Sequence, residues 1–139
     1  MQTLRAIELR PADRVLLLLI PEPEEARELA SRVPGGLIVG VGPDEDVRAA
    51  RRALRGVENA MFVPGDAGEI PWRDDFFTVA IARTFALPLE TLREIWRVLA
   101  PRGRLVRLEP GEVPPALASA FEASDPESQV LVTRKGAQS

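Results

Sequence analysis

The chain has 139 residues, 45% of them apolar and 28% charged, with a formal net charge of −3 at pH 7. This length and composition predict a single domain, residues 1–139, with one hydrophobic core, and they provide no basic face for a nucleic-acid partner. Because the sequence contains neither cysteine nor histidine, it excludes thiol catalysis, disulfides, imidazole acid–base chemistry and most zinc sites, so no metal is expected.

The longest apolar run, residues 15–20, is too short to cross a bilayer. The first ten residues lack a signal-peptide pattern, so we expect a cytoplasmic protein with no membrane partner. An uninterrupted apolar run of this length is typical of a strand buried on both faces of a parallel sheet.

Strand-like and helix-like segments alternate along the rest of the chain. The predicted strands are residues 15–20, 37–41, 60–63, 76–82, 104–108 and 129–133, and the predicted helices are residues 22–33, 44–55, 89–100 and 115–123. Such alternation predicts an α/β fold with a Rossmann-like, doubly wound and mostly parallel sheet. Residues 1–10 are expected to form an N-terminal extension, and residues 135–139 a frayed tail.

Residues 65–82 read GDAGEIPWRDDFFTVAIA and residues 94–106 read EIWRVLAPRGRLV. Together they resemble the second half of a class I S-adenosylmethionine-dependent methyltransferase domain of the type 11 kind. That family has a G-D-A-E-x-L-P-F-like loop, a D-x-F-D strand, a helix ending in E-x-x-R-V-L and a P-G-G-R-L run. The resemblance covers roughly residues 14–109. With six strands counted, it implies a sheet shortened relative to the family's usual seven.

The family's donor loop is not kept. Its first strand ends in a V-L-D-L-G-C-G-T-G-like turn, whose glycines let the backbone approach the methionine end of the cofactor. Over residues 15–23 the acidic position becomes Leu17, and the three glycine positions become Leu19, Pro21 and Pro23. Proline fixes φ and has no N–H. We therefore expect this turn to narrow the space that the methionine end requires.

The resemblance also implies a ribose side and an adenine side. The acidic residue that accepts the ribose hydroxyls is replaced by Gly42, and Asp44 either reaches back to that place or caps the following helix. Asp66 and Ala67 match the adenine-contacting loop, with the Asp66 carboxylate accepting from the exocyclic amine.

Alternatively, Asp66 only stabilises a turn while Trp72 and Phe76 pack in the core. At the mouth of the implied substrate site, Arg83 and Thr84 are either site residues or solvated loop residues, and no catalytic residue is assigned.

Three functions fit these observations. The lost glycines favour a degenerate, non-catalytic methyltransferase-like domain that needs no cofactor and serves as a partner or regulatory subunit. The alternative is an active S-adenosylmethionine-dependent methyltransferase with an atypical donor loop, and a third is a module that binds another nucleotide or small molecule in the same crevice. If residues 129–133 form an edge strand, they offer a surface for a homodimer or another protein chain.

Overall fold

The computed structural model describes residues 7–82, 88–107, 121–122 and 131–135. The helices within these ranges are α1 (Pro23–Arg32), α2 (Asp44–Ala53) and α3 (Leu89–Val98). The strands are β1 (Arg14–Leu17), β2 (Leu37–Gly42), β3 (Ala60–Pro64), β4 (Phe77–Ala82), β5 (Leu99–Arg107), β6 (Phe121–Glu122) and β7 (Leu131–Lys135). No described helix is both long enough and apolar enough to cross a membrane.

All seven strands form one sheet in the order β3-β2-β1-β4-β5-β7-β6. The first five positions pair in parallel, and β7 runs antiparallel to both β5 and β6. This is the predicted Rossmann-like, mostly parallel α/β fold. Its parallel part has five strands, and it is short at the β6 edge, where the strand has only two residues.

The central position predicted for the first strand is confirmed. β1 pairs with β2 on one side and with β4 on the other, and Val15, Leu16 and Leu17 are fully buried. Val15 and Leu17 pack with α1 residues in one core cluster, whereas Leu16 packs with α3 residues in a second. Helices therefore cover opposite faces of the sheet, which explains why β1 is apolar at successive positions.

Several predicted boundaries need correction. β1 ends at Leu17 rather than at residue 20, because the chain bends out of the sheet toward Pro21, which has no N–H for a strand ladder. α3 ends at Val98, and β5 begins at Leu99, because Leu99 has extended backbone and pairs with Phe77.

At the other end of the chain, the count of six strands is one too few. The predicted helix 115–123 is wrong at Phe121 and Glu122, which form β6; its residues 115–120 and 123 lie outside the described ranges. The last strand is shifted to Leu131–Lys135 and lies between β5 and β6, so it is not the edge strand that was expected.

The two ends of the chain also differ from the prediction. Lys135, which was predicted to lie in the frayed tail, belongs to β7. Ile7, placed in the N-terminal extension, is buried in the core.

β3 forms the opposite edge of the sheet. The Arg51 side chain of α2 donates from Nε to the carbonyl oxygen of Phe62 over 2.9 Å, and Pro64 ends the strand. One carbonyl of the edge strand is thus satisfied by a side chain of the same chain.

Arg97 of α3 fastens the loop that precedes β4. Its guanidinium donates to the carbonyl oxygens of Ile70 at 2.9 Å and Trp72 at 3.0 Å, and to the Asp74 carboxylate at 2.6 Å. It also donates to both oxygens of Glu94, at 2.7 and 3.0 Å, and Glu94 Oε1 accepts from the Ile70 N–H at 2.8 Å. The E-x-x-R spacing thus joins two side chains of one helix into a clamp on the loop.

The clamp shifts the ionisation of both groups. The hydrogen bond from Arg97 is the main cause that lowers the pKa of Glu94; partial burial opposes it, and the Ile70 N–H adds to it. The hydrogen bonds to Glu94 and then Asp74 raise the pKa of Arg97. Since the pKa of Glu94 is lowered by folding, its stabilising effect is present above its unfolded pKa and is lost as pH falls through the folded pKa.

We expect Arg97→Met to lower the free energy of unfolding by about 2 kcal/mol, because it leaves two carbonyls and the Glu94 carboxylate without their donor. Urea denaturation between about pH 7 and pH 3 should also show a weaker loss of stability in acid than in the parent chain. Arg93→Met, at an exposed position of the same helix, is the control and should leave both quantities unchanged. An acid response of Arg97→Met equal to that of the parent would contradict the assigned role of Glu94.

Candidate functional site

The carboxyl ends of the parallel strands meet at one edge of the sheet, where an open α/β fold binds its ligands. The residue that follows β3 lies against the end of β2, since the Gly65 N–H donates to the Gly42 carbonyl over 3.1 Å. The ribose position, Gly42, and the adenine loop, Gly65–Ala67, are therefore neighbours, as the resemblance implies. Residues 18–23, which follow β1, form the remaining side of this crevice.

Ile20 fills the ribose corner. A Cβ atom at Gly42 would lie 2.7 Å from Ile20 Cγ1 and 3.2 Å from Cδ1, and a Cβ at Gly40 would lie 3.5 Å from Cδ1. The Ile20 side chain also packs against the cluster that joins α1, α2 and β3, which includes Val47 and Phe62. An acidic side chain at position 42 has no room unless Ile20 moves, so an apolar side chain lines this corner.

The turn at residues 21–23 offers no free backbone donor. Pro21 and Pro23 have no N–H, and the Glu22 N–H donates to Glu25 Oε1 over 3.3 Å within the first turn of α1. A carboxylate such as the methionine end of S-adenosylmethionine is normally held by the N–H groups at such a strand-to-helix turn. The residues present therefore do not fit this cofactor at its methionine end or at its ribose.

Asp44 does not reach back to Gly42. It is the first residue of α2, it is exposed, and its carboxylate pairs with Arg48 Nε at 2.9 Å, four residues along the helix. The expectation that Asp44 caps the helix is wrong, because the N-cap position is occupied by the preceding residue, Pro43.

Asp66 is exposed and shapes its own loop. Its Oδ1 accepts from the Gly68 N–H at 2.7 Å, and its carbonyl accepts from the Glu69 N–H at 3.0 Å. The first bond is that of an Asx turn, and the second is the backbone bond of a β-turn. The contact of Asp66 and Ala67 with adenine stays a prediction.

The residues after this loop pack as core. Trp72 and Phe76 lie against the cluster of α3 and β5, with their ring centroids 5.5 Å apart. The clamp by Glu94 and Arg97 holds the same segment from the other side; the sequence showed their motif but not their partners in the loop. Arg83 and Thr84 lie outside the described residues. Within the described ranges, no group of three or more acidic side chains is placed to hold a metal ion.

We expect Gly42→Ala to lower the free energy of unfolding by about 1–3 kcal/mol, because its methyl group would overlap Ile20. In an Ile20→Ala background the same change should cost little, which gives a coupling energy of about 1 kcal/mol or more in urea denaturation.

Gly35→Ala is the control for this coupling, because a Cβ at Gly35 meets only the Pro11 carbonyl oxygen, at an ordinary 3.5 Å. Its effect should simply add to that of Ile20→Ala. Additivity between Gly42→Ala and Ile20→Ala would mean that Ile20 does not close the corner.

Comparison with known proteins identifies the scaffold. The methyltransferase domain family matches residues 23–107. The chain is 38% identical over 127 residues to a demethylmenaquinone methyltransferase of Thermus thermophilus, covering 84% of this chain and 56% of the relative. It is 36% identical over 116 residues to a demethylmenaquinone methyltransferase of Deinococcus radiodurans, covering 79% of this chain and 47% of the relative. The chain thus spans about half the length of the curated relatives it matches.

Solved structures show the same fold. A SAM-dependent methyltransferase from Aquifex aeolicus superposes with a TM-score of 0.73 at 18% identity, over 92% of this chain and 85% of that one. The YcgJ protein of Bacillus subtilis superposes with a TM-score of 0.61 at 28% identity, over 74% of this chain and 46% of that one. Since the family match covers more than half of the chain and agrees with the sheet order and both quoted motifs, this chain belongs to the methyltransferase domain family, as a class I methyltransferase-like domain.

Proposed function

We propose that this chain is a non-catalytic member of the methyltransferase domain family, whose donor corner does not take up S-adenosylmethionine. The observation that carries the proposal is the contact of Ile20 with Gly42, which closes the ribose corner with an apolar side chain.

The energetic consequence of these losses is large. A hydrogen bond to a charged group contributes about 1.5–3 kcal/mol, which corresponds to roughly ten- to a hundredfold in affinity. The ribose acid and the N–H donors at the methionine end are two such groups of contacts, so losing both weakens donor binding by about 10²–10⁴-fold. We infer that a domain without its donor would act by binding another chain, as a partner or regulatory subunit.

Active methyl transfer is the second candidate, and the comparisons favour it over the first. Both curated relatives are named as demethylmenaquinone methyltransferases, and the loop with Asp66 is kept and clamped by Arg97. Methyl transfer depends mainly on proximity and alignment, with sometimes a base, so the departures from the family's acidic positions do not themselves oppose it. This candidate requires Ile20 to leave the ribose corner when the donor binds.

Titration calorimetry with S-adenosylmethionine and S-adenosylhomocysteine separates the two candidates. For the non-catalytic domain we expect no saturable heat up to about 1 mM ligand, and no change when glycine replaces residues 19, 21 and 23, because the ribose acid is still absent. Micromolar binding that is lost in Asp66→Ala but kept in Glu69→Ala, an exposed residue of the same loop, would establish a working donor site and overturn the proposal.

A further inference from the structure

A second cleft lies at the opposite, amino edge of the sheet. It has a volume of about 370 Å³, and its polar lining consists of the side chains of Glu8, Arg10, Asp13, Thr78, Arg102 and Arg104. These residues come from the segment before β1, the start of β4 and the turn within β5. The cleft shares no residue with the donor corner.

The balance of charge in this cleft is set by what its acids already bind. Asp13 accepts from the Thr78 hydroxyl at 2.9 Å through Oδ1, and from the Arg10 backbone N–H at 2.7 Å through Oδ2. Its two oxygens are therefore both satisfied by the protein. Glu8 is exposed, and with Asp13 it gives the cleft two carboxylates against the three guanidinium groups of Arg10, Arg102 and Arg104. Arg104 donates to the carbonyl oxygen of Glu8 and is fixed at the cleft wall.

Two guanidinium groups remain available. Neither the Arg10 nor the Arg102 side chain has a hydrogen bond to the part of the chain that the structure describes. Both line the cleft, and both are exposed. A guanidinium has five N–H donors in a planar fork, which matches the geometry of a carboxylate or a phosphate.

The backbone of Arg102 is a separate observation. Its φ is 68°, in the left-handed region that glycine favours. The family pattern P-G-G-R-L has glycine at this place, where the chain reads Pro101-Arg102-Gly103. An arginine is therefore kept at a position where a side chain strains the backbone, and strained positions of this kind cluster at ligand sites.

Thr78 is a further departure from the family pattern in the same cleft. It stands at the second acidic position of the D-x-F-D strand, and its hydroxyl accepts from the Arg14 N–H at 2.9 Å while donating to Asp13. An aspartate here would bring a second carboxylate against Asp13. The change to threonine removes a negative charge from the cleft, and the change to arginine at position 102 adds a positive one.

We propose that this amino-edge cleft binds a small oxyanion, the carboxylate or phosphate group of a small molecule, between Arg10 and Arg102. A cleft of about 370 Å³ suits a small molecule better than a protein surface. The site is independent of the donor corner, so it stands whether or not S-adenosylmethionine binds.

The test uses the whole chain, titrated with inorganic phosphate and separately with malonate, and followed by amide chemical shifts. We expect saturable shifts confined to residues 10, 12, 13, 78 and 102–104, and the tighter of the two probes identifies the group as phosphate or carboxylate. Arg102→Gly should weaken binding at least about tenfold, because charge-assisted hydrogen bonds are lost. Its melting temperature should stay equal or rise, because glycine relieves the left-handed backbone. A merely structural arginine would lower the melting temperature.

Arg52→Ala is the matched control, since it removes one exposed positive charge on α2; it should leave the affinity unchanged. Thr78→Asp should weaken binding as Arg102→Gly does. The proposal is overturned if neither probe gives saturable shifts, or if Arg52→Ala weakens binding as much as Arg102→Gly, which would indicate general attraction of anions.

Discussion

The rest of the structure depends on the double pairing of β1. Each of its residues from Val15 to Leu17 has a register partner in a parallel strand on either side, and both faces of the strand are covered. A strand in this position can only leave the sheet at its carboxyl end, into the crevice that the neighbouring strands also face. The residues immediately after β1 therefore occupy the centre of the site. In this chain residues 18–21 are apolar or proline, and Ile20 lies against Gly42 at the end of the neighbouring strand.

The elements governed by local pattern were predictable from the sequence. The apolar run of β1 specifies a buried strand through its own residues. The helix-like pattern of residues 22–33 likewise specifies α1, which lies within one residue of its predicted bounds at each end.

The features that failed to appear in the sequence depend on contacts between distant residues. α3 gives way to β5 early because Leu99 pairs with Phe77. Ile20 and Gly42 are distant in the sequence and are in contact because β1 and β2 are neighbours in the sheet. The sequence showed that the glycines of the donor loop are absent, but it did not show that Ile20 would lie at the ribose position. Likewise, the E-x-x-R motif indicated an ion pair on one helix. Its hydrogen bonds to the backbone of residues 70–72 are tertiary contacts, which the motif alone does not indicate.

The comparisons and the site geometry describe different properties of this molecule. Family membership rests on residues 23–107, where the sheet, the loop with Asp66 and the clamp of Arg97 are kept. The donor contacts that the resemblance implies at the methionine end and the ribose fall on residues 17–23 and Gly42, where the chain departs from the family pattern. A scaffold and its ligand contacts can change separately because core packing and ligand contacts involve largely different residues. Here the two sets meet at Ile20, which packs in a core cluster and closes the site at once.

The edge formed by β3 has a consequence for self-association. An incoming strand would have to displace Arg51 from the Phe62 carbonyl, and it would find no donor at Pro64. Domain swapping and fibril growth both proceed by adding a strand to such an edge. Because Arg51 occupies a carbonyl that an added strand would use, and Pro64 offers no N–H, strand addition at this edge is disfavoured.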